Sequence, residues 1–440
     1  MANWRSLASL VVFLVIAPCA LAQTVTLAED LKAGDCFTIR LEMTLAGEIT
    51  VTKGDNKVPL KLSTKAAHAF ASRVLNVAAD GTADKAAIVY DKAESAITVA
   101  GNTSEHKLRP KRNLIVTQRF KDQPLVYCPT APLTRDELEL VGEHFDTLTL
   151  TGLLPGKAMA KGDTWTLKNS VAQALCNFEG LTEQKLTCRL EDFNAETATV
   201  SVSGTAAGID LGAQVKLTIE ASYRFDLAAK RLIALEWKQQ DERDQGPANP
   251  ASKVEVTTKL VRKFIAPPEA LSDVALVSVP DGFDVPNRLT TLELRDPKGR
   301  YELIYGREWQ TVGETDEHLI LRLMERGDFV AQATITPWTA AEKGKHMAPE
   351  EFKELMAKTP GWEPATELQT GEVPAGEGKW AYRVAAQGKM DDVEVVQSFY
   401  LVANQNGEQI VVAFTMTPKQ VERLGTRDLS LVGSLEFPKK

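Results

Sequence analysis

The sequence predicts two regions of different fold class, a mostly β region followed by an α+β region. Apolar and polar residues alternate repeatedly over residues 30–265, a proline-rich stretch interrupts this pattern, and helix signals mixed with strand signals follow it. We expect the first region to be an antiparallel meander, in the form of a curved sheet or half-barrel. We expect the second to be an antiparallel sheet covered by helices.

The first residues have the pattern of an export signal. Arg5 provides a positive start, residues 7–16 are almost entirely apolar, and residues 20–22 (Ala-Leu-Ala) match a small-residue cleavage site. We expect residues 1–22 to be removed and the protein to be exported, to the periplasm or beyond the cell. A membrane anchor is an alternative that the short apolar run disfavours, and lipidation at Cys19 is one that the preceding proline disfavours.

Strand patterns dominate the β-rich region, residues 23–265. The clearest is the run of residues 214–225, where apolar and polar residues alternate without a break. A period of two indicates an antiparallel strand with one face in the core and the other in water. Thr134 and Glu137 form a capping box, which predicts one helix inside this region.

Two similar turns suggest that the β-rich region has two halves. Residues 32–36 (Lys-Ala-Gly-Asp-Cys) and residues 161–165 (Lys-Gly-Asp-Thr-Trp) both place Gly-Asp immediately before a strand. This weak internal repeat predicts a division near residue 150.

A proline-rich seam separates the two regions. Residues 264–270 (Phe-Ile-Ala-Pro-Pro-Glu-Ala) have no sustained period, so we place a linker at residues 266–278 and the second region at residues 279–440. Asn406-Gly407 is a strong hairpin signal within that second region. Helix signals accompany it, namely a proline suited to the first helical position at Pro349 and a second capping box at residues 417–420 (Thr-Pro-Lys-Gln).

Four cysteines remain after the predicted cleavage, an even number that suits an oxidising compartment. Cys176 and Cys188 flank a Glu-Gly turn, as two adjacent antiparallel strands would, and Cys36 would then pair with Cys128. The two other pairings and four free buried thiols are the alternatives. We expect no zinc site, because there is no Cys-x-x-Cys pair and no histidine lies near the cysteines.

The sequence contains no recognisable catalytic motif. The 440 residues are 44% hydrophobic and 25% charged with a net charge of −8, values typical of a globular protein that does not bind nucleic acid. Neither a nucleophile elbow, a Walker loop, a dinucleotide fingerprint nor a His-Glu-x-x-His motif occurs. We therefore predict no catalytic residue, no metal and no cofactor. The histidines are scattered and are expected to be surface or structural residues: His68, His106, His144, His318 and His346.

Tryptophans are concentrated in the second region, at Trp309, Trp338, Trp362 and Trp380. Such side chains either fill a core or stack on a ligand or partner, and filling the core is the favoured interpretation. Trp362 lies in a Pro-Gly-Trp turn, so we expect it to be the most exposed and regard it as the candidate partner contact.

Three stretches give the second region a resemblance to a known family. Residues 279–283 (Val-Pro-Asp-Gly-Phe), the predicted helix at residues 349–358 and residues 431–437 (Leu-Val-Gly-Ser-Leu-Glu-Phe) are similar to the PsbP-like family, with the extrinsic photosystem subunit PsbP and the bacterial DcrB-like exported proteins. The resemblance implies an adaptor or binding domain rather than a catalyst, and it assigns a role to no residue of this chain.

The β-rich region carries two further resemblances. Residues 153–155 (Leu-Leu-Pro) followed by residues 162–165 (Gly-Asp-Thr-Trp) resemble a group of exported bacterial proteins of unknown function. The expected architecture is also distantly similar to the curved-sheet lipoprotein carriers of the periplasm, which hold acyl chains in a half-barrel. That similarity concerns architecture alone.

These patterns lead us to expect an exported, non-enzymatic binding or scaffold protein. A periplasmic carrier of a lipid or small apolar ligand, bound in the β-rich region, is one alternative, and a hydrolase of unrecognised type is another. The expected partner is a protein or a small apolar ligand. We expect no nucleic-acid partner and no transmembrane segment after removal of the signal.

Overall fold

A computed structural model describes residues 23–53, 56–120, 123–142 and 145–438. The predicted export signal with Cys19, and also His144, lie outside the described residues. Antiparallel strands make up most of the described chain, as the sequence predicted. No helix in these ranges is long and apolar enough to cross a membrane.

In the part of the β-rich region that the structure describes there are two short α-helices, α1 (Arg135–Gly142) and α2 (Asn169–Leu175), and 3₁₀ turns at Pro110–Arg112 and Thr147–Leu153. Its strands are β1 (Thr24–Thr26), β2 (Cys36–Lys53), β3 (Asn56–Val77), β4 (Ala83–Val99), β5 (Asn102–Lys107), β6 (Leu114–Phe120), β7 (Gln123–Tyr127), β8 (Ala158–Ala160), β9 (Thr164–Thr166), β10 (Gly180–Gln184), β11 (Thr187–Phe193), β12 (Thr197–Asp210), β13 (Ala213–Asp226), β14 (Arg231–Arg243) and β15 (Ala251–Ile265).

Most of these strands form one large antiparallel sheet. Its strand order is β7-β6-β4-β3-β2-β15-β14-β13-β12-β11-β9, with β5 paired to β4, β10 paired to β12, and β1 paired to β8 in a separate ribbon. Strands that precede residue 150 form one half and strands that follow it form the other. The halves join where β2 pairs with β15, from Cys36↔Ile265 to Thr50↔Ala251.

Alternation along the strands assigns one face of this sheet to the main core. In β13, Leu217 and Ile219 are buried, whereas Lys216 and Thr218 are exposed. The period of two predicted for residues 214–225 is thus confirmed, because successive side chains of a strand point to opposite faces.

The helices cover one end of the core face. The predicted capping box of α1 is formed, with the Glu137 backbone N–H donating to Thr134 Oγ1 (3.2 Å) and the Thr134 N–H donating to Glu137 Oε2 (3.0 Å). Leu140 of α1 and Leu150 of the neighbouring 3₁₀ turn are buried in the main hydrophobic cluster. This end of the sheet is therefore a closed core.

The segment of residues 266–286, which we call the strap, crosses the opposite face of the same end. It includes the predicted linker. Leu271 is fully buried, and its carbonyl accepts a hydrogen bond from Arg73 (2.8 Å). The buried Lys85 Nζ donates to the carbonyl of Pro280 (2.5 Å). Because buried side chains hold its backbone, the strap is part of the packed structure.

The second region contains a seven-stranded antiparallel sheet, ordered β18-β19-β20-β24-β23-β22-β21, and a small sheet ordered β16-β17-β25. Its elements are α3 (Asn287–Thr290), β16 (Leu292–Arg295), β17 (Glu302–Tyr305), β18 (Trp309–Glu314), β19 (Leu319–Glu325), β20 (Asp328–Trp338), α4 (Pro349–Ala357), β21 (Trp362–Val373), β22 (Lys379–Met390), β23 (Val393–Asn404), β24 (Gln409–Met416), a 3₁₀ turn (Pro418–Gln420), α5 (Val421–Leu424), α6 (Arg427–Gly433) and β25 (Leu435–Glu436). A further 3₁₀ turn (Glu269–Leu271) lies in the strap.

Both faces of the seven-stranded sheet are covered. Phe352 and Met356 of α4 pack on one face, and Leu431 of α6 belongs to the main cluster on the other. The predicted capping box at Thr417 and Gln420 is present, but it opens a 3₁₀ turn. The region is an α+β layer structure, as its sequence predicted.

Polar contacts also hold the two regions together. Arg109 of the β-rich region forms ion pairs with Glu137 of α1 and with Glu293 of β16. At another point, Arg322 Nη1 of β19 donates to the carbonyl of Pro247 (2.6 Å). The main hydrophobic cluster contains side chains of both regions, so they share one core.

Candidate functional site

The four cysteines of the described chain are all free and buried. Neither predicted bridge, Cys176–Cys188 or Cys36–Cys128, is formed in this structure. The expected geometry for Cys176 is wrong, because residues 169–175 form α2 and Cys176 ends that helix instead of lying on a strand. Burial raises the pKa of Cys176 and of Cys188 to about 12, so both remain thiols at neutral pH.

Trp362 is buried, and the expectation that it is exposed is wrong. Its side chain is 6% exposed and packs in a cluster with Phe352 and Met356 of α4. Gly361, with φ of 76°, turns the chain so that Trp362 starts β21 beneath the helix. The structure therefore gives Trp362 a place in the core, with no surface for a partner contact.

The histidines that the structure describes do not converge on a site. His68 is buried in the β-rich core, His106 lies 3.1 Å from Asp136, and His346 stacks on Trp380 with ring centroids 3.5 Å apart. Within the described residues, no group of three or more His, Cys, Asp or Glu side chains could hold a metal ion.

A small cavity lies in the covered end of the β-rich core. Its volume is about 40 Å³, and its lining includes Phe70, Tyr90 and Phe145. Such a space holds one or two water molecules. Ligand pockets measure about 300 to 1,000 Å³, so this cavity is too small for an acyl chain.

The far end of the large sheet has an apolar surface that we call the tip face. Strand alternation places its side chains on the same face of the sheet as the core, beyond the part that the helices cover. None of these side chains belongs to a hydrophobic core cluster of the described residues. All are half-buried. The tip face consists of Leu45, Ile49, Val51, Val58, Leu60, Leu62, Ile97, Val99 and Val256.

Gly47 lies in the middle of the tip face, where neighbouring backbone comes close to it. It lies in one transverse row with Asp241, Val254 and Leu62, since each pairs directly with the next across β14, β15, β2 and β3. A Cβ atom at Gly47 would be 2.1 Å from the carbonyl oxygen of Lys253. Only glycine fits there, because the neighbouring backbone is too close for any side chain.

Charged side chains border the tip face at β14. Asp210 forms an ion pair with Arg243, whereas Asp241 Oδ1 is buried and has no hydrogen-bond partner among the described residues. Burial raises the pKa of Asp241 to about 6, with a further contribution from the charge of Asp210. Burial also raises the pKa of Glu179, which lies near the same pair.

A groove of about 860 Å³ lies at the same strands, and its lining includes Asp241, Val254, Gly47 and Leu62 as well as charged residues of the opposite face. One wall is a transverse row in which Glu242, Lys253, Glu48 and Lys61 are cross-strand neighbours. Lys253 Nζ lies 3.1 Å from Glu242 Oε1. Because its charges alternate and compensate each other, this wall has a structural role in holding the strands together.

Comparison with known proteins identifies no family for the chain. No protein-family model matches it, and no curated protein has a similar sequence. Part of the chain is similar in structure to the cyanobacterial PsbP (CyanoP) of Synechocystis, with 11% identity, a TM-score of 0.27, and coverage of 36% of this chain and 96% of that one.

Two other solved structures show similarities of the same order. The Ran-binding protein Mog1p of Saccharomyces cerevisiae has 14% identity, a TM-score of 0.26, and coverage of 33% of this chain and 95% of its own. Lipovitellin has 11% identity, a TM-score of 0.29, and coverage of 55% of this chain and 26% of its own. A PsbP is thus among the structures to which part of the chain is similar, whereas the predicted N-terminal pattern has gained no support.

Sequence reasoning did not find the tip face. Its alternation is visible in residues 43–51 and 58–64, and it is the same alternation that predicts an ordinary core strand. The missing information is which stretch of a long strand a helix covers. That depends on where α1 and α2 pack, which no local pattern contains.

Proposed function

We propose that this is an exported, non-enzymatic binding protein that binds an apolar ligand on the tip face. The observation that carries the proposal is a set of nine half-buried apolar side chains on one sheet face, none of which belongs to a hydrophobic core cluster of the described residues. Contiguous apolar surface of this kind is typical of interaction sites, because leaving it in water costs free energy. The export signal predicted for residues 1–22 supports the proposed location.

The alternative of a lipid carrier takes a specific form in this fold. The small cavity of about 40 Å³ does not admit an acyl chain. Carriage of a lipid would therefore use the open tip face, with the ligand lying along the strands. Binding of an apolar ligand and carriage of a lipid would then use the same surface, and one experiment tests both.

The test is calorimetric titration of the full chain with decanol as the apolar probe. We expect the unmodified protein to bind decanol, and Leu60→Glu to weaken binding at least tenfold by placing a charge inside the contact. Lys65→Glu is the matched control, since Lys65 lies on the same strand, exposed on the opposite face and opposite no carboxylate, and we expect it to bind as the unmodified protein does. Absence of decanol binding, or equal binding by Leu60→Glu, would contradict the proposal.

A further inference from the structure

We propose that the groove beneath the strap is a binding site for an extended acidic peptide segment of another protein, and that the strap occupies this groove as an internal ligand that can be displaced. The site is separate from the tip face and lies on the opposite face of the large sheet. Its floor consists of small and apolar side chains of β3, β4 and β6, all buried or half-buried, namely Ala71, Ala87, Val89, Leu114 and Val116.

The first argument is the polar chemistry of the groove, in which three side chains donate hydrogen bonds to backbone carbonyls of the strap. The donors, each with the strap residue that accepts, are Arg73 with Leu271 (2.8 Å), Lys85 with Gly282 (2.6 Å) and Gln118 with Phe283 (2.7 Å). Lys85 and Gln118 are cross-strand neighbours and are 2% and 0% exposed. Because every peptide has backbone carbonyls, a segment of another protein can accept the same hydrogen bonds.

The second argument is charge. Two cationic side chains of the sheet, Arg73 and Lys85, face the strap, and Arg73 Nη2 lies 2.7 Å from Asp273 Oδ1. The strap has no basic residue and four acidic ones, Glu269, Asp273, Asp281 and Asp284. An acidic segment therefore complements the groove, whereas a basic one would be repelled.

The third argument is that the strap is attached separately from the main core. Residues 266–286 contain no strand, so they add no ladder of hydrogen bonds to the sheet. The apolar anchors Leu271 and Leu276 belong to a small cluster that is distinct from the main one. In the same segment, Val274 and Val277 are 85% and 86% exposed. A segment with so few buried apolar contacts opens at a fraction of the free energy of global unfolding, so the strap can leave the groove while the sheet stays folded.

The experiment titrates a fluorescein-labelled peptide with the sequence of residues 268–286 into the full chain and follows binding by fluorescence anisotropy. The double variant Leu271→Ser with Leu276→Ser removes both anchors of the strap. We expect it to bind the peptide at least about tenfold more tightly than the unmodified chain does, because the strap no longer competes for the groove. The matched control is Val274→Ser with Val277→Ser, which makes the same kind of change at exposed positions of the strap and should bind the peptide as the unmodified chain does.

Two further changes test the chemistry of the groove in the variant without anchors. Lys85→Met keeps a long side chain but removes the ammonium group, and we expect the affinity for the peptide to fall about tenfold. A peptide in which Asn and Gln replace the four acidic residues should also bind about tenfold more weakly. Far-UV circular dichroism of each variant verifies that the sheets remain folded.

Hydrogen exchange followed by mass spectrometry tests the unmodified chain. We expect the amides of residues 271–279 to exchange at least about tenfold faster than those of β4, and faster still with an excess of peptide, which captures the open state. Exchange of the strap that is as slow as that of β4 and unchanged by the peptide would overturn the inference.

The binding outcomes are equally decisive. The inference is wrong if the variant without anchors gains no affinity for the peptide, if the control at the exposed valines gains as much, or if Lys85→Met changes nothing. None of these results bears on the tip face, which Leu60→Glu tests separately.

Discussion

The two sheets of this protein differ in how much of their surface is covered. The seven-stranded sheet has helices or strands on both faces, and its strand β23 is buried without interruption from Val395 to Ala403. The large sheet has a helical layer and the strap at one end only, and its tip face is half-exposed. Burial in a strand is therefore decided by the neighbouring layer and not by the strand itself.

The largest expected effect comes from the covered sheet. Trp362→Ala removes a large buried side chain from between α4 and the strands, and we expect the free energy of unfolding to fall by about 3–5 kcal/mol. Urea denaturation followed by far-UV circular dichroism measures the change. Trp362→Phe is the control and should lose less. A loss below about 1 kcal/mol for Trp362→Ala would show that this part of the sheet is not a packed core.

The second effect concerns the contact between the two regions. Glu293→Ala leaves the guanidinium of Arg109 without one of its two carboxylates, and we expect a loss of about 2–3 kcal/mol with an earlier unfolding transition of the second region in calorimetry. Glu302→Ala is the matched control in the neighbouring strand, because the ion pair of Glu302 with Arg295 is exposed and should contribute below about 1 kcal/mol. Equal effects of the two variants would contradict a role for Glu293 as an inter-region contact.

The third effect is a gain of stability at the border of the tip face. Burial raises the pKa of Asp241 to about 6 in the folded chain, above its ordinary value of 3.8, so folding favours the protonated form. The ionised form of Asp241 therefore destabilises the folded chain. This loss of stability is absent below pH 4, grows between pH 4 and pH 6, and is complete above pH 6. Asp241→Asn should be more stable by about 2 kcal/mol at pH 7.5 and no more stable at pH 4. Urea unfolding at both pH values measures this; a gain independent of pH would refute the assignment.

The smallest effect is expected on the uncovered surface itself. Leu60→Ala should reduce the free energy of unfolding by less than about 1 kcal/mol, because Leu60 belongs to no core cluster of the described residues. Leu217→Ala on β13 is the comparison, since Leu217 is 2% exposed and its loss should cost about 3 kcal/mol. Similar losses in thermal or urea unfolding would mean that the tip face is covered in solution, for example by a bound ligand.

Local signals predicted local structure well in both regions. The alternation of residues 214–225, the capping box at Thr134 and the hairpin at Asn406-Gly407 are all formed, because each depends on neighbouring backbone groups. The burial of Trp362 and the docking of the strap were not predicted, since both depend on residues far away in the chain. The candidate site likewise depends on residues that are far apart in the chain. Its apolar side chains can be read from the sequence, but their lack of a cover cannot.

The pairing of β2 with β15 has a consequence for how this chain reaches its native state. Strands β2 to β4 can form hairpins with one another early, and so can β12 to β15. Cys36 can pair with Ile265 only after the whole β-rich region has been synthesised. Until then each half has an open edge more than ten residues long that could pair with another molecule. During synthesis, the interval between the appearance of the first and last long strands is thus the time at which this protein is most prone to aggregate.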